Sequence, residues 1–71
     1  MKTYKIIILE HIGESGNWEW YQIFRKDVIK TPKKAIEWYI KEMGLDKQDI
    51  FQQEDGYLYA EDDIRAIEYE I

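Results

Sequence analysis

The sequence predicts a two-layer α+β fold in which a four- to five-stranded antiparallel sheet packs on one helix, in the order β-β-α-β-β-β. Three observations lead there. Thr31-Pro32 and Gly44-Leu45 bracket a single helical stripe. Two runs rich in β-branched and aromatic residues precede it, joined by Gly13-Glu14-Ser15-Gly16-Asn17. Three shorter β-prone runs follow, two of them meeting at Asp55-Gly56. Hairpins in succession imply antiparallel pairing, and a lone amphipathic helix can bury its stripe only against the sheet. At 71 residues the chain is one domain, 1–71, because a chain this short supports a single core.

Residues 3–12 read as a strand with Tyr4, Ile6 and Ile8 on one face and Ile7 and Leu9 on the other. Apolar residues on both faces suit an inner strand. The glycine-rich segment 13–17 supplies turn residues. Residues 18–26 return as a strand whose alternation places Trp18, Trp20, Gln22 and Phe24 together, opposite Glu19, Tyr21, Ile23 and Arg25. Val28 and Ile29 extend it beyond a kink near Asp27.

Thr31 suits an N-cap, whose side chain accepts a bond from an orphan amide. Pro32 suits the first helical position, where its missing N–H costs nothing. Ala35, Ile36, Tyr39, Ile40 and Met43 recur as one stripe, which predicts a helix over about 32–43. Gly44 falls where a left-handed cap residue belongs, with Leu45 as its apolar companion. Asp55-Gly56 then predicts a hairpin between residues 50–53 and 57–60, with Gly56 at positive φ. In the last run Ile67, Tyr69 and Ile71 alternate with Glu68 and Glu70. That alternation predicts Ile67 and Tyr69, with Ile6 and Ile8, beneath the helix, and the two glutamates about 7 Å apart on a wet face.

Composition excludes several function classes. Cysteine is absent, and with it disulfides, thiolate metal centres and thiol nucleophiles. One histidine, His11, and one serine, Ser15, form no triad signature. The acidic segments match no calcium-binding loop, since Phe51 and Gln53 fall where ligands belong. Gly13-Glu14-Ser15-Gly16 lacks the rest of a phosphate-binding loop and leads into a strand. The expectation is therefore no enzyme, no cofactor and no metal. No apolar run approaches the roughly 20 residues of a membrane span, and no secretory signal stands at the N-terminus, so a cytoplasmic location is expected.

Charge divides the chain. Residues 1–44 carry eight basic and six acidic residues, a balance of +2; residues 45–71 carry nine acidic residues against Lys47 and Arg65, a balance of −7. Such asymmetry bears on partners. Glu54, Asp55, Glu61, Asp62, Asp63, Glu68 and Glu70 form the candidate docking set for a protein with a basic surface. The alternative is an anion site at Arg25, Lys26, Lys30, Lys33 and Lys34, binding nucleic acid with help from exposed aromatics. Net acidity (−5) weighs against general phosphate binding. Eleven aromatics exceed what one helix on one sheet can hide, and Tyr and Trp favour interfaces. A sheet face bearing Trp18 and Trp20, or an edge formed by residues 65–71, also invites a two-fold dimer.

The size, acidity, lack of cysteine and hairpin–helix–hairpin layout resemble the small proteins with which phages block host defences, anti-CRISPR proteins among them. The resemblance implies an inhibitor that acts by docking on a protein partner.

Overall fold

The computed structural model describes residues 5–61 and 63–70; the expectations placed on Tyr4, Asp62 and Ile71 lie outside them. The element order is β1 (Lys5–Ile12), β2 (Trp18–Arg25), α1 (Pro32–Glu42), β3 (Ile50–Gln52), β4 (Leu58–Ala60) and β5 (Ile64–Glu70). All five strands join one antiparallel sheet in the order β2-β1-β5-β4-β3. The two-layer α+β architecture is as the sequence predicts, and β1 is an inner strand. β5 is also central, so the expected edge at residues 65–71 is instead provided by β2 and β3. No helix among the described residues is long and apolar enough to cross a membrane.

Local backbone chemistry explains the punctuation. Lys34 N–H donates to Thr31 Oγ1 at 3.2 Å, an N-cap bond that satisfies one free amide of the first turn. At the other end Leu45 N–H donates to the Ile40 carbonyl and Gly44 N–H to that of Lys41, with Gly44 at φ +66°. That pair of bonds is the Schellman arrangement, which needs a left-handed residue after the cap. The first two hairpins are closed by one design used twice. Gly16 N–H donates to the Gly13 carbonyl, and Gly56 N–H to that of Gln53. Both glycines have positive φ, and the preceding side chain, Ser15 or Asp55, accepts from the amide two residues on. These short side chains mimic a backbone turn.

The helix packs on β5, β1 and β4. Ile7, Leu9, Phe24, Ala35, Ile36, Tyr39, Ala60, Ile64 and Ala66 form the core. Alanines at 35, 60 and 66 leave room for close approach of helix and sheet, while Ile36 and Ile64 fill the space between them. The covered face is the opposite of the expected one. Ile7, Leu9, Ile64 and Ala66 lie beneath the helix; Ile6, Ile8, Ile67 and Tyr69 face away. β1 is apolar on both sides, so its own pattern could not choose. The decision falls to β5, where Ile64 and Ala66 set the phase.

A bulge revises β2. Leu9 pairs with Gln22 but Glu10 pairs with Trp20, so Tyr21 is the extra residue and the alternation changes phase there. Trp18 and Trp20 therefore share a face with Ile23 and Arg25, not with Gln22 and Phe24. Tyr21 turns to the helix, against the rings of Tyr39 (5.0 Å between centroids) and Trp38 (6.5 Å), and Phe24 meets Trp38 at 5.0 Å. Residues 26–29 form a turn rather than an extension of β2, with Val28 and Ile29 amides both donating to the Arg25 carbonyl.

The helix ends at Glu42, and Met43, its cap, is 52% exposed, so Met43 leaves the predicted stripe and Ile36 carries its centre. Ile36→Ala should cost roughly 2–5 kcal/mol because it empties a fully buried site. Met43→Ala should stay within about 0.5 kcal/mol, as exposed substitutions do. Urea melts of the two variants check both values.

Candidate functional site

Cross-strand partners share a face, so the register defines what the uncovered side of the sheet presents. One row crosses all five strands: Trp20, Glu10, Arg65, Tyr59 and Phe51. Below it run Ile23, Ile8 and Ile67, then Arg25, Ile6 and Tyr69. Four large residues of this face are exposed: Trp20 (69%), Tyr69 (55%), Phe51 (44%) and Ile23 (40%). Ile6, Ile8 and Ile67 are half-buried. Extended exposed apolar patches are uncommon on small chains, which makes this face the candidate surface for an interaction.

The centre of the row is polar and closed. Glu10 is buried (7% exposed), and its Oε1 accepts from Arg65 Nε at 3.0 Å. Arg65 Nη1 donates to the Tyr59 hydroxyl at 3.3 Å. The guanidinium lies between the rings of Trp18 (4.3 Å) and Tyr57 (4.1 Å), a stacking that a planar, weakly hydrated cation favours. Burial works against the charged form of Arg65, but its bonds to Tyr59 and Glu10 outweigh that and raise its pKa. Burial also raises the pKa of Tyr57, with the nearby Glu10 charge adding to it. At the β3–β4 turn Asp55 accepts from the Tyr59 hydroxyl and from Tyr57 N–H. Those bonds, the Tyr59 one foremost, hold the Asp55 carboxyl below its ordinary value.

The acidic docking set does not converge. Glu54 and Asp55 border the uncovered face at one end of β4, while Glu61 and Asp63 lie at its other end, where Ile12 N–H reaches the Asp63 carbonyl. Glu68 and Glu70 pair across β5–β1 with Ile7 and Lys5. They therefore stand on the side of the sheet that carries the helix and not on its uncovered side, although both are exposed as expected. Glu68 is bonded to Lys26, which lowers its pKa.

The basic cluster is also divided. Arg25 contacts Asp27 at 3.3 Å and Lys26 is engaged by Glu68. Lys30, Lys33 and Lys34 are exposed where the chain enters the helix, in the layer opposite the exposed Trp20, Phe51 and Tyr69. Lysines and stacking rings thus fall on different sides. Lys33 and Lys41 also line an open groove of about 600 Å³ beside the 45–50 connection, with Glu37 and Asp49 among its walls. His11 packs edge-on against Tyr21, and Ser15 Oγ is used in its turn. Among the described residues no three His, Cys, Asp or Glu side chains are grouped to hold a metal ion.

Glu10 and Arg65 were not singled out by the sequence reading. Their signal was one acid ending an apolar run and one base inside an acidic segment. No family model, curated protein or solved structure matches the chain, so the argument for function rests on this geometry.

Two outcomes follow. Arg65→Met leaves a buried carboxylate without its partner and should cost about 3–5 kcal/mol, whereas Glu10→Met with Arg65→Met should recover most of the loss; chemical denaturation of the single and double variants checks this. Asp55 has a lowered folded-state pKa, so its stabilisation is complete above the unfolded value and lost as pH falls through the folded one. Asp55→Asn should therefore lower the urea midpoint most at neutral pH and least at the acid end, and so flatten the acid limb of a plot of midpoint against pH.

Proposed function

We propose that the chain is a non-catalytic, cytosolic docking module that binds a protein through the uncovered face of its sheet. One observation carries this reading: four of the seven exposed large apolar residues among those described, Trp20, Ile23, Phe51 and Tyr69, are set in register rows on one face, around a polar centre already paired. Interfaces of this kind combine an apolar, aromatic middle with a charged border. The border here has an acidic corner, Glu54 and Asp55, so the partner is a protein surface that is apolar and carries at least one cation at its edge. This narrows the expected basic surface to a single charged corner and gives the other acids of the docking set the role of keeping a small chain dispersed. In the inhibitory role that the likeness to phage proteins implies, such docking would cover a partner's working surface, and it requires no chemistry of the chain's own.

The test is differential capture from a lysate, quantified by mass spectrometry. A partner held by the wild-type chain should be lost with Ile23→Lys, which sets a charge at an exposed apolar position of the face on the edge strand β2, and kept when Lys33 and Lys34 are both changed to Glu. Capture indifferent to Ile23→Lys overturns the reading. Salt-sensitive gel shifts of short DNA or RNA that vanish with the lysine reversals would replace it by the nucleic-acid alternative.

A further inference from the structure

Resting on that reading, we infer that the partner surface is the same face of a second copy of this chain, turned by a two-fold axis that runs parallel to the strands. The chain itself meets the requirement of an apolar surface with a cation at its edge. Arg25 stands at the β2 corner, in the row of Ile6 and Tyr69; its contact with Asp27 is solvent-exposed on both sides, so a second carboxylate can share or replace it. The Glu54–Asp55 turn stands across the sheet at nearly the same height, since Gly56 lies against Ile67, with 3.8 Å from the place of its absent Cβ to Ile67 Cδ1. A dyad along the strands sets β2 of one copy over β3 and β4 of the other. Arg25 then meets the acidic turn twice, once on each side.

The same operation treats the aromatics alike. Trp20 and Phe51 are the two ends of one five-residue row, and both are exposed. Under the dyad each Trp20 covers the partner copy's Phe51, and the isoleucine rows meet across the middle. A dyad perpendicular to the strands would set β2 on β2 and leave both Arg25 and the acidic turn without counterparts. The row's centre does not oppose closure, because the Glu10 carboxylate is already buried and paired; no free charge has to be dried. Two sheets stacked this way form an aligned sandwich, with a helix on each outer side.

Five strands at about 4.8 Å spacing, with β3 and β4 only three residues long each, offer a footprint of roughly 500 Å² per copy. That is below the ~800 Å² per partner of a standard interface. The dimer is therefore weak, forming in the micromolar range and depending on concentration.

Sedimentation velocity on the purified chain in about 0.15 M salt, where screening limits repulsion between two acidic copies, should show the mass rising from 8.7 kDa toward twice that value across the micromolar range. Ile23→Lys should remain monomeric with an unchanged circular dichroism spectrum. Arg25→Glu and Glu54→Arg should each weaken association roughly tenfold, through two lost pairs and two like-charge contacts per dimer. Mixing these two variants should restore wild-type affinity, because both corner contacts are then again of opposite sign. A chain that stays monomeric at high micromolar concentration overturns the inference, as does association that survives Ile23→Lys or a mixture no tighter than its components. A monomer that still loses a captured protein on Ile23→Lys overturns the second copy alone and leaves the docking reading standing.

Discussion

One helix can cover one side of a sheet, and most of this molecule follows from that constraint. The eleven residues of α1 make a rod about 16 Å long, enough to roof β1, β5 and β4 but not to reach across β2. Close approach is set by Ala35 against Ala60 and Ala66, and depth by Ile36 and Ile64. On the flank that the rod cannot reach, Tyr21 and Phe24 are closed over by Trp38 and Tyr39. The core there holds the rings of Phe24 and Tyr39 with Trp38 packed against them, while Tyr21 stays partly exposed at the margin. Nothing similar exists on the other side, so its isoleucines and remaining rings stay open.

The bulge at Tyr21 makes this division work. Without the extra residue, strict alternation along β2 would put Trp18 and Trp20 on the same side as Phe24, and either two tryptophans would crowd the helix or Phe24 would leave the core. With it, the N-terminal half of β2 gives its indoles to the uncovered face while the C-terminal half still gives Phe24 to the core. Trp18 then reaches the Arg65 guanidinium. The arginine is held on two sides by rings and on its edge by Glu10 and Tyr59, so the uncovered face is rigid at its centre and apolar around it.

What could be read in the sequence was what local backbone chemistry decides. Thr31-Pro32, Gly44-Leu45, Gly16 and Gly56 all sit where capping bonds or positive φ demand them, and such demands act within four or five residues. The order of elements followed from these punctuation marks. The faces did not, because facing is a tertiary decision. Alternation along β1 is satisfied equally by either side. Along β5 the stretch from Ile67 to Ile71 looked like the half-buried strand, yet the short Ile64 and Ala66 at its start are the residues that meet the helix. A single inserted residue in β2 is equally silent in one sequence, since either phase leaves apolar and polar residues on both faces of the strand. The Glu10–Arg65 pair joins residues 55 positions apart, and only the β1–β5 register brings them together.

The charge balance along the sequence did not show how the fold would place the charges. A net balance describes how a chain behaves in solution and toward other charged bodies, not where it binds. Nine acids in residues 45–71 suggested one face, but the fold distributes the eight described ones to both ends of β4, to the helix side of β5 and to the loop after the helix, and Lys26 pairs with one of them. The informative property is the reverse one. On a molecule whose outside is otherwise studded with charge, one sheet face keeps its few ionic groups either paired at the centre or confined to two corners of opposite sign. Acids elsewhere limit indiscriminate association of that face, because any approach that brings acidic ends together is repelled. Alignments that join Arg25 to a carboxylate are favoured instead. On the proposed docking reading the acidity of the chain and the apolarity of its sheet are complementary, one limiting how a partner would approach and the other supplying the contact once it is aligned.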